Sequence, residues 1–199
     1  MTTSMNVSFK AILRNHYNIN KMNEDGTLTP RKKAFVEFQP VSDYDEVCLN
    51  KLGDLWFDPK EFFAESIAND FRNFFAYGDP SARFFGLVEL KNNYEKINPE
   101  DVLGIMETAK DKYGVNVVEY IQISPEHMST NPFRTIKDSG KAMIKSLQEF
   151  IFPQQKIYLD SVESAVPFYE KLDFRRINPN KRRMVYEPKK ITQTLSHFA

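Results

Sequence analysis

Apolar and polar positions recur with two different periods along this chain, and the switches between them divide it into elements. Ala34-Phe35-Val36-Glu37-Phe38 sets Phe35 and Glu37 on one side of an extended segment and Val36 and Phe38 on the other, the two-residue repeat of a strand. Residues 7–14 alternate more loosely and are expected to pair with it across a polar turn at Asn23-Glu24-Asp25-Gly26. Gln39-Pro40 ends the strand, since proline brings no N–H donor. Helical spacing then takes over. Ser42-Asp43 is an N-cap signal, and Val47, Leu49, Leu52 and Leu55-Trp56 give an apolar face. A second helix is expected after Asp58-Pro59, carrying Phe62, Phe63, Ile67, Phe71, Phe74 and Phe75 and stopped by Gly78-Asp79-Pro80.

Strand patterns return at residues 83–90, 102–108 and 115–124, the last two closed into a hairpin by Asp111-Lys112-Tyr113-Gly114. A loop leads to the polar turn Lys137-Asp138-Ser139-Gly140 and an amphipathic helix. A short strand at residues 156–159, a helix over 162–172 and a last strand at 183–186 follow. The order β-α-α-β-β-β-α-β-α-β-β predicts an α/β fold, a mixed and mostly antiparallel central sheet with helices on both faces.

Composition narrows the partners. The chain of 199 residues balances 27 Lys and Arg against 27 Asp and Glu, so no basic excess points to nucleic acid. The length fits one domain, expected over 1–188 with an N-terminal extension of about residues 1–33, and a C-terminal tail over 189–199. The single cysteine, Cys48, cannot form a disulfide within the chain and reads as a buried small apolar residue. No stretch approaches the ~20 apolar residues of a membrane span, and no basic-then-apolar leader opens the chain, so a cytoplasmic protein is expected. His16 and His127 have no partner at metal or triad spacing, and no metal is expected.

The strand, turn and helix around residues 115–146 aim backbone N–H groups and a helix N-terminus at one place, which suits an anion such as a pyrophosphate. Further on, Ala165-Val166-Pro167-Phe168-Tyr169-Glu170-Lys171-Leu172-Asp173-Phe174 resembles a late segment of the Gcn5-related N-acetyltransferases, the GNAT superfamily. Relatives commonly carry Ala-x-x-Phe-Tyr-x-x-x-Gly-Phe there. Ile121-Gln122-Ile123-Ser124-Pro125-Glu126 looks like the end of that family's fourth strand, and Lys137-Asp138-Ser139-Gly140-Lys141-Ala142 like its acetyl-coenzyme A loop.

The resemblance implies an N-acetyltransferase that moves acetyl from acetyl-coenzyme A, its co-substrate, to an amine of a small molecule or protein. By the same likeness the donor contacts fall on Ile123, Ser124, Arg134, Lys137, Asp138, Ser139, Gly140, Lys141 and Ala142. The N–H of Ile123 would hold the acetyl carbonyl, Tyr169 would protonate the leaving thiolate, and Glu119 or Glu107 would serve as base. The chain departs from the family pattern twice, with Asp138 and Asp173 where relatives have glycine. On Asp138, and on the lack of one clear base, rests a second reading: a non-catalytic module of the same fold with a degenerate acetyl-coenzyme A loop. An exposed late strand offers a way to form a homodimer.

Overall fold

The computed structural model describes residues 10–57, 63–94 and 96–189. The start of the strand expected from residue 7, the helix start at Asp58-Pro59, Phe62 and the tail from residue 190 on lie outside the described residues.

Nine strands among the described residues form one sheet, in the order β6-β1-β2-β3-β4-β5-β7-β9-β8. They are β1 (Ile12–Met22), β2 (Leu28–Phe38), β3 (Arg83–Glu89), β4 (Val102–Lys110), β5 (Asn116–Ile123), β6 (Ile136–Lys137), β7 (Ile157–Asp160), β8 (Phe174–Arg176) and β9 (Arg183–Tyr186). Every neighbouring pair is antiparallel except β5 and β7. The first hairpin turns at Asn23 to Thr27, where the two backbones join at 2.9 Å, as its polar turn predicts. Its first strand, however, covers Ile12–Met22 rather than 7–14, and β2 starts at Leu28. Residues 12–33 are therefore largely sheet, paired over ten positions from Ile12–Glu37 to Met22–Leu28.

Helices cover both faces. On one side lie α1 (Asp43–Leu55) and α2 (Phe63–Arg72); Leu49, Leu52 and Trp56 face the core as expected, while Val47 and Leu55, expected with them, are exposed. Ser42 Oγ accepts the Asp45 N–H at 3.3 Å, and Leu49, Leu52, Ile67 and Phe71 join Val36, Phe38, Phe84 and Ile105 in a continuous core. Each fully buried side chain of this kind contributes about 1.5–3 kcal/mol. Cys48 lies in the same core, and burial raises its thiol to about 12, which leaves it protonated and unreactive. Phe75, expected on the helix face, is instead exposed, because α2 ends at Arg72 and the chain turns away.

On the other side lie α3 (Ser139–Ser146), prolonged by a π-helical turn at Leu147–Ile151, and α4 (Val166–Glu170). Met143, Ile144, Leu147, Val166 and Leu172 pack on Phe35, Phe85 and Met106. The alternation read at Phe35 and Val36 is thus divided between two cores, one per face. No helix of the described residues is long and apolar enough to cross a membrane.

Candidate functional site

The site arises where the only parallel pair of the described sheet comes apart. β5 and β7 pair at Asn116–Ile157, Val117–Tyr158 and Val118–Leu159, and β5 then runs on to Ile123 with no strand of the described residues paired to it on that edge. On its other edge β5 stays paired with β4 as far as Gly104–Ile123. The Ser124 N–H bonds to the Leu103 carbonyl at 3.0 Å, so Gly104 and Ile123 form a non-hydrogen-bonded pair. The backbone N–H groups of Ile123 and, two residues back, Ile121 consequently point away from β4 into the fork. Ser124, expected among the donor contacts, gives its N–H to β4 and is itself buried.

A cleft of about 620 Å³ opens at this fork. Its walls bring together Ile123, Arg134, Lys137, Asp138, Ser139, Gly140, Lys141 and Tyr169, all named from the sequence, and add Gln122, His127 and Phe168. Ala142 is not among them. Its side chain is in the core and its N–H bonds to the Asp138 carbonyl at 2.8 Å, the first bond of α3. That bond leaves the N–H groups of Ser139, Gly140 and Lys141 without a helical acceptor, and the Asp138 side chain does not cap them. The Ser139 hydroxyl beside them is buried with no hydrogen-bond partner. Free N–H groups, an orphaned hydroxyl and the positive end of a helix fit a phosphate oxyanion. The ion pairs of the described residues engage none of Arg134, Lys137 and Lys141, so their charges remain available to an anion in the cleft.

Both departures from the glycine pattern keep glycine's backbone. Asp138 adopts φ 69°, ψ 11°, and Asp173 adopts φ 66°, the left-handed region that aspartate enters more readily than most residues. Asp138 does not cap α3 with its side chain; its carboxylate accepts from Asn20 Nδ2 on β1 at 2.7 Å. Gly140 has a different reason to be glycine. A Cβ there would lie 3.3 Å from the Phe168 ring and 3.7 Å from Ile123, so the absent side chain lets α3 close on α4 and β5.

Tyr169 is 8% exposed, with its ring 5.0 Å from Phe168 and 5.8 Å from Phe174. Burial pushes its phenol up to about 12, so it stays protonated and a donor across the neutral range. Glu119 and Glu107 lie outside the cleft walls. Glu119 is the extra residue of a β-bulge, since Thr108 pairs with Val118 and Glu107 with Tyr120. The bulge takes Glu119 out of the two-residue alternation that runs from Tyr120 to Ile123. It sets Glu119, exposed, at the first position beyond the last β5–β7 pair. Burial raises its carboxyl, against the lowering pull of Arg183.

Glu107 lies within β4 and points to the α2 side, 5% exposed, with one carboxylate oxygen unpartnered. Burial first, then the neighbouring charges of Asp70 and Glu119, raise it to about 8. Asp70 on α2 is a further acid next to this site that the sequence pattern does not single out. Gln122 is another missed residue. Its buried amide accepts the Ala64 N–H at 2.7 Å and donates to the Trp56 carbonyl at 3.1 Å, tying both ends of the α1–α2 connection to the free part of β5.

No protein-family model matches the chain, and no curated protein matches it. Solved structures similar to it include several acetyltransferases, some of them of the GNAT family. One, from Staphylococcus aureus, is 15% identical, with 78% of this chain and 98% of that one covered and a TM-score of 0.47. An acetyltransferase from Streptococcus agalactiae has 15% identity, 78% and 98% coverage and a TM-score of 0.45. An N-acetyltransferase from Bacillus subtilis, solved in complex with coenzyme A, has 10% identity, 78% and 97% coverage and a TM-score of 0.45.

Proposed function

We propose that this protein is an acetyl-coenzyme A-dependent N-acetyltransferase acting on an amine of a small molecule or protein. The observation that carries the reading is the fork itself: outward N–H groups on β5 face the same cleft as three uncapped N–H groups at the start of α3. In this reading the N–H groups of Ser139, Gly140 and Lys141, with Arg134 and Lys137, hold the pyrophosphate, and the Ile123 N–H holds the thioester carbonyl. The amine attacks the carbonyl carbon, the C–S bond breaks, and the electron pair leaves on sulfur, which takes the Tyr169 proton. The ammonium proton passes to a carboxylate on the α2 side of the fork. Glu107 suits that role near neutral pH because its carboxyl, at about 8, is matched to the task, and Glu119 stands between it and the fork.

A non-catalytic module is the competing reading; of its two supports, Asp138 as an obstruction is weakened by the bond of that carboxylate to Asn20, and the lack of one clear base is what the assay below addresses. Calorimetric titration of the full chain with acetyl-coenzyme A, paired with release of free thiol in the presence of amines, tests the proposal. Micromolar binding with amine-dependent thiol release is expected. Absence of binding sinks the reading; binding without turnover on any amine favours the module.

A further inference from the structure

An aspartate at a helix N-cap in extended backbone turns its carboxylate onto the N–H groups two and three residues ahead, but the left-handed backbone of Asp138 does not aim its side chain there. For Asp138 those are Gly140 and Lys141, two of the donors that open onto the cleft. The carboxylate instead reaches out to Asn20, 118 residues earlier in the chain, and accepts its amide proton at 2.7 Å. The position of Asn20 is set by backbone pairing. Asn20 lies opposite Lys137 and Lys21 opposite Ile136, and the Met22 N–H bonds to the Thr135 carbonyl at 2.6 Å. β1 thus runs along the segment that leads into the turn and brings one neutral donor to Asp138. Asn20 is not part of the cleft wall.

We propose that Asn20 is a positioning residue of the anion cradle: it anchors the Asp138 carboxylate away from the start of α3 and so keeps its charge off the donor's pyrophosphate. This rests on the acetyl-coenzyme A reading above and explains how an aspartate is accommodated where its charge would otherwise repel the anion. Without Asn20 the carboxylate is free to turn toward the cleft whose wall Asp138 helps to form. The bond it loses is a single exposed one, so affinity falls with thermal stability nearly held.

The test is calorimetric titration of the full chain with coenzyme A, alongside thermal melts, for wild type, Asn20→Leu, Asp138→Gly and the double variant. Expected are a loss of about tenfold in affinity for Asn20→Leu, a melting temperature close to wild type, and recovery in the double variant to the level of Asp138→Gly. If Asn20→Leu binds as wild type does, or if Asp138→Gly fails to restore it, the inference is overturned. Wild type that does not bind coenzyme A overturns the functional reading itself, and that arm is read without any variant. Should Asn20→Leu not fold, Asn20→Ser shortens the side chain and takes the amide donor away from Asp138 without adding a charge. It is expected to show the same loss and the same recovery in combination with Asp138→Gly, and absence of either overturns the inference.

Discussion

At the scale of single residues, the two aspartates in glycine positions show how the same conformation is used for different ends. At Asp173 the left-handed residue ends the segment after α4, with its N–H on the Glu170 carbonyl at 3.1 Å and its carboxylate loosely paired with Lys145 at 3.7 Å. Asp173→Ala is expected to cost about 1 kcal/mol, because alanine enters this region at a higher steric price, while Asp173→Gly leaves stability unchanged or slightly improved. Denaturant midpoints of the two variants check the order. Tyr169 carries the other residue-scale prediction. Tyr169→Phe keeps the packing with Phe168 and Phe174 and removes only the proton donor, so kcat should drop about a hundredfold with coenzyme A affinity unchanged. An equal loss in affinity would assign the phenol to binding instead.

Among the elements, legibility followed local chemistry. The β4–β5 hairpin was readable because Asp111 to Gly114 is a turn whose own side chain closes it: Asp111 accepts the Tyr113 and Val115 N–H groups at 2.8 and 3.0 Å. The bulge at Glu119 was not, since nothing in Val117-Val118-Glu119-Tyr120 marks which residue the partner strand will skip. β1 was misplaced because Asn15, His16, Asn18 and Asn20 interrupt its alternation; that strand is half exposed and its pairing, not its hydrophobicity, defines it. Gln122 ties the α1–α2 connection to β5 by hydrogen bonds, beside the contact of the Phe63 and Tyr120 rings. Gln122→Leu fills the space and strands the Ala64 N–H and Trp56 carbonyl, and is expected to destabilise by roughly 2 kcal/mol in urea unfolding. A loss well below this would mean that water replaces the amide.

For the whole molecule, two buried carboxyls set the pH response. Asp45, with one oxygen unpartnered, is raised by burial to about 7, and Glu107 to about 8. Below about pH 3 both groups are protonated in the folded and unfolded chain, and neither favours a state. As pH rises further the unfolded chain releases these protons while the folded chain retains them, so stability falls until about pH 7 to 8. Glu107→Gln should therefore gain stability relative to wild type steadily between pH 5 and 8, read as the difference in urea midpoints. A constant difference over that window would show that Glu107 ionises normally. The same group predicts that kcat/KM rises toward pH 8 in wild type and loses that limb in Glu107→Gln.

The order of elements from β2 onward, apart from β6, and the hairpin before the fork were contained in the sequence, because each depends on residues within a few positions of one another. The tertiary structure alone decided that β5 parts from β7 after Val118, that Glu107 meets Asp70 under α2, and that Asn20 takes the carboxylate of Asp138. Those are contacts between distant segments, set by strand register and by which face each helix covers, and no local pattern encodes them.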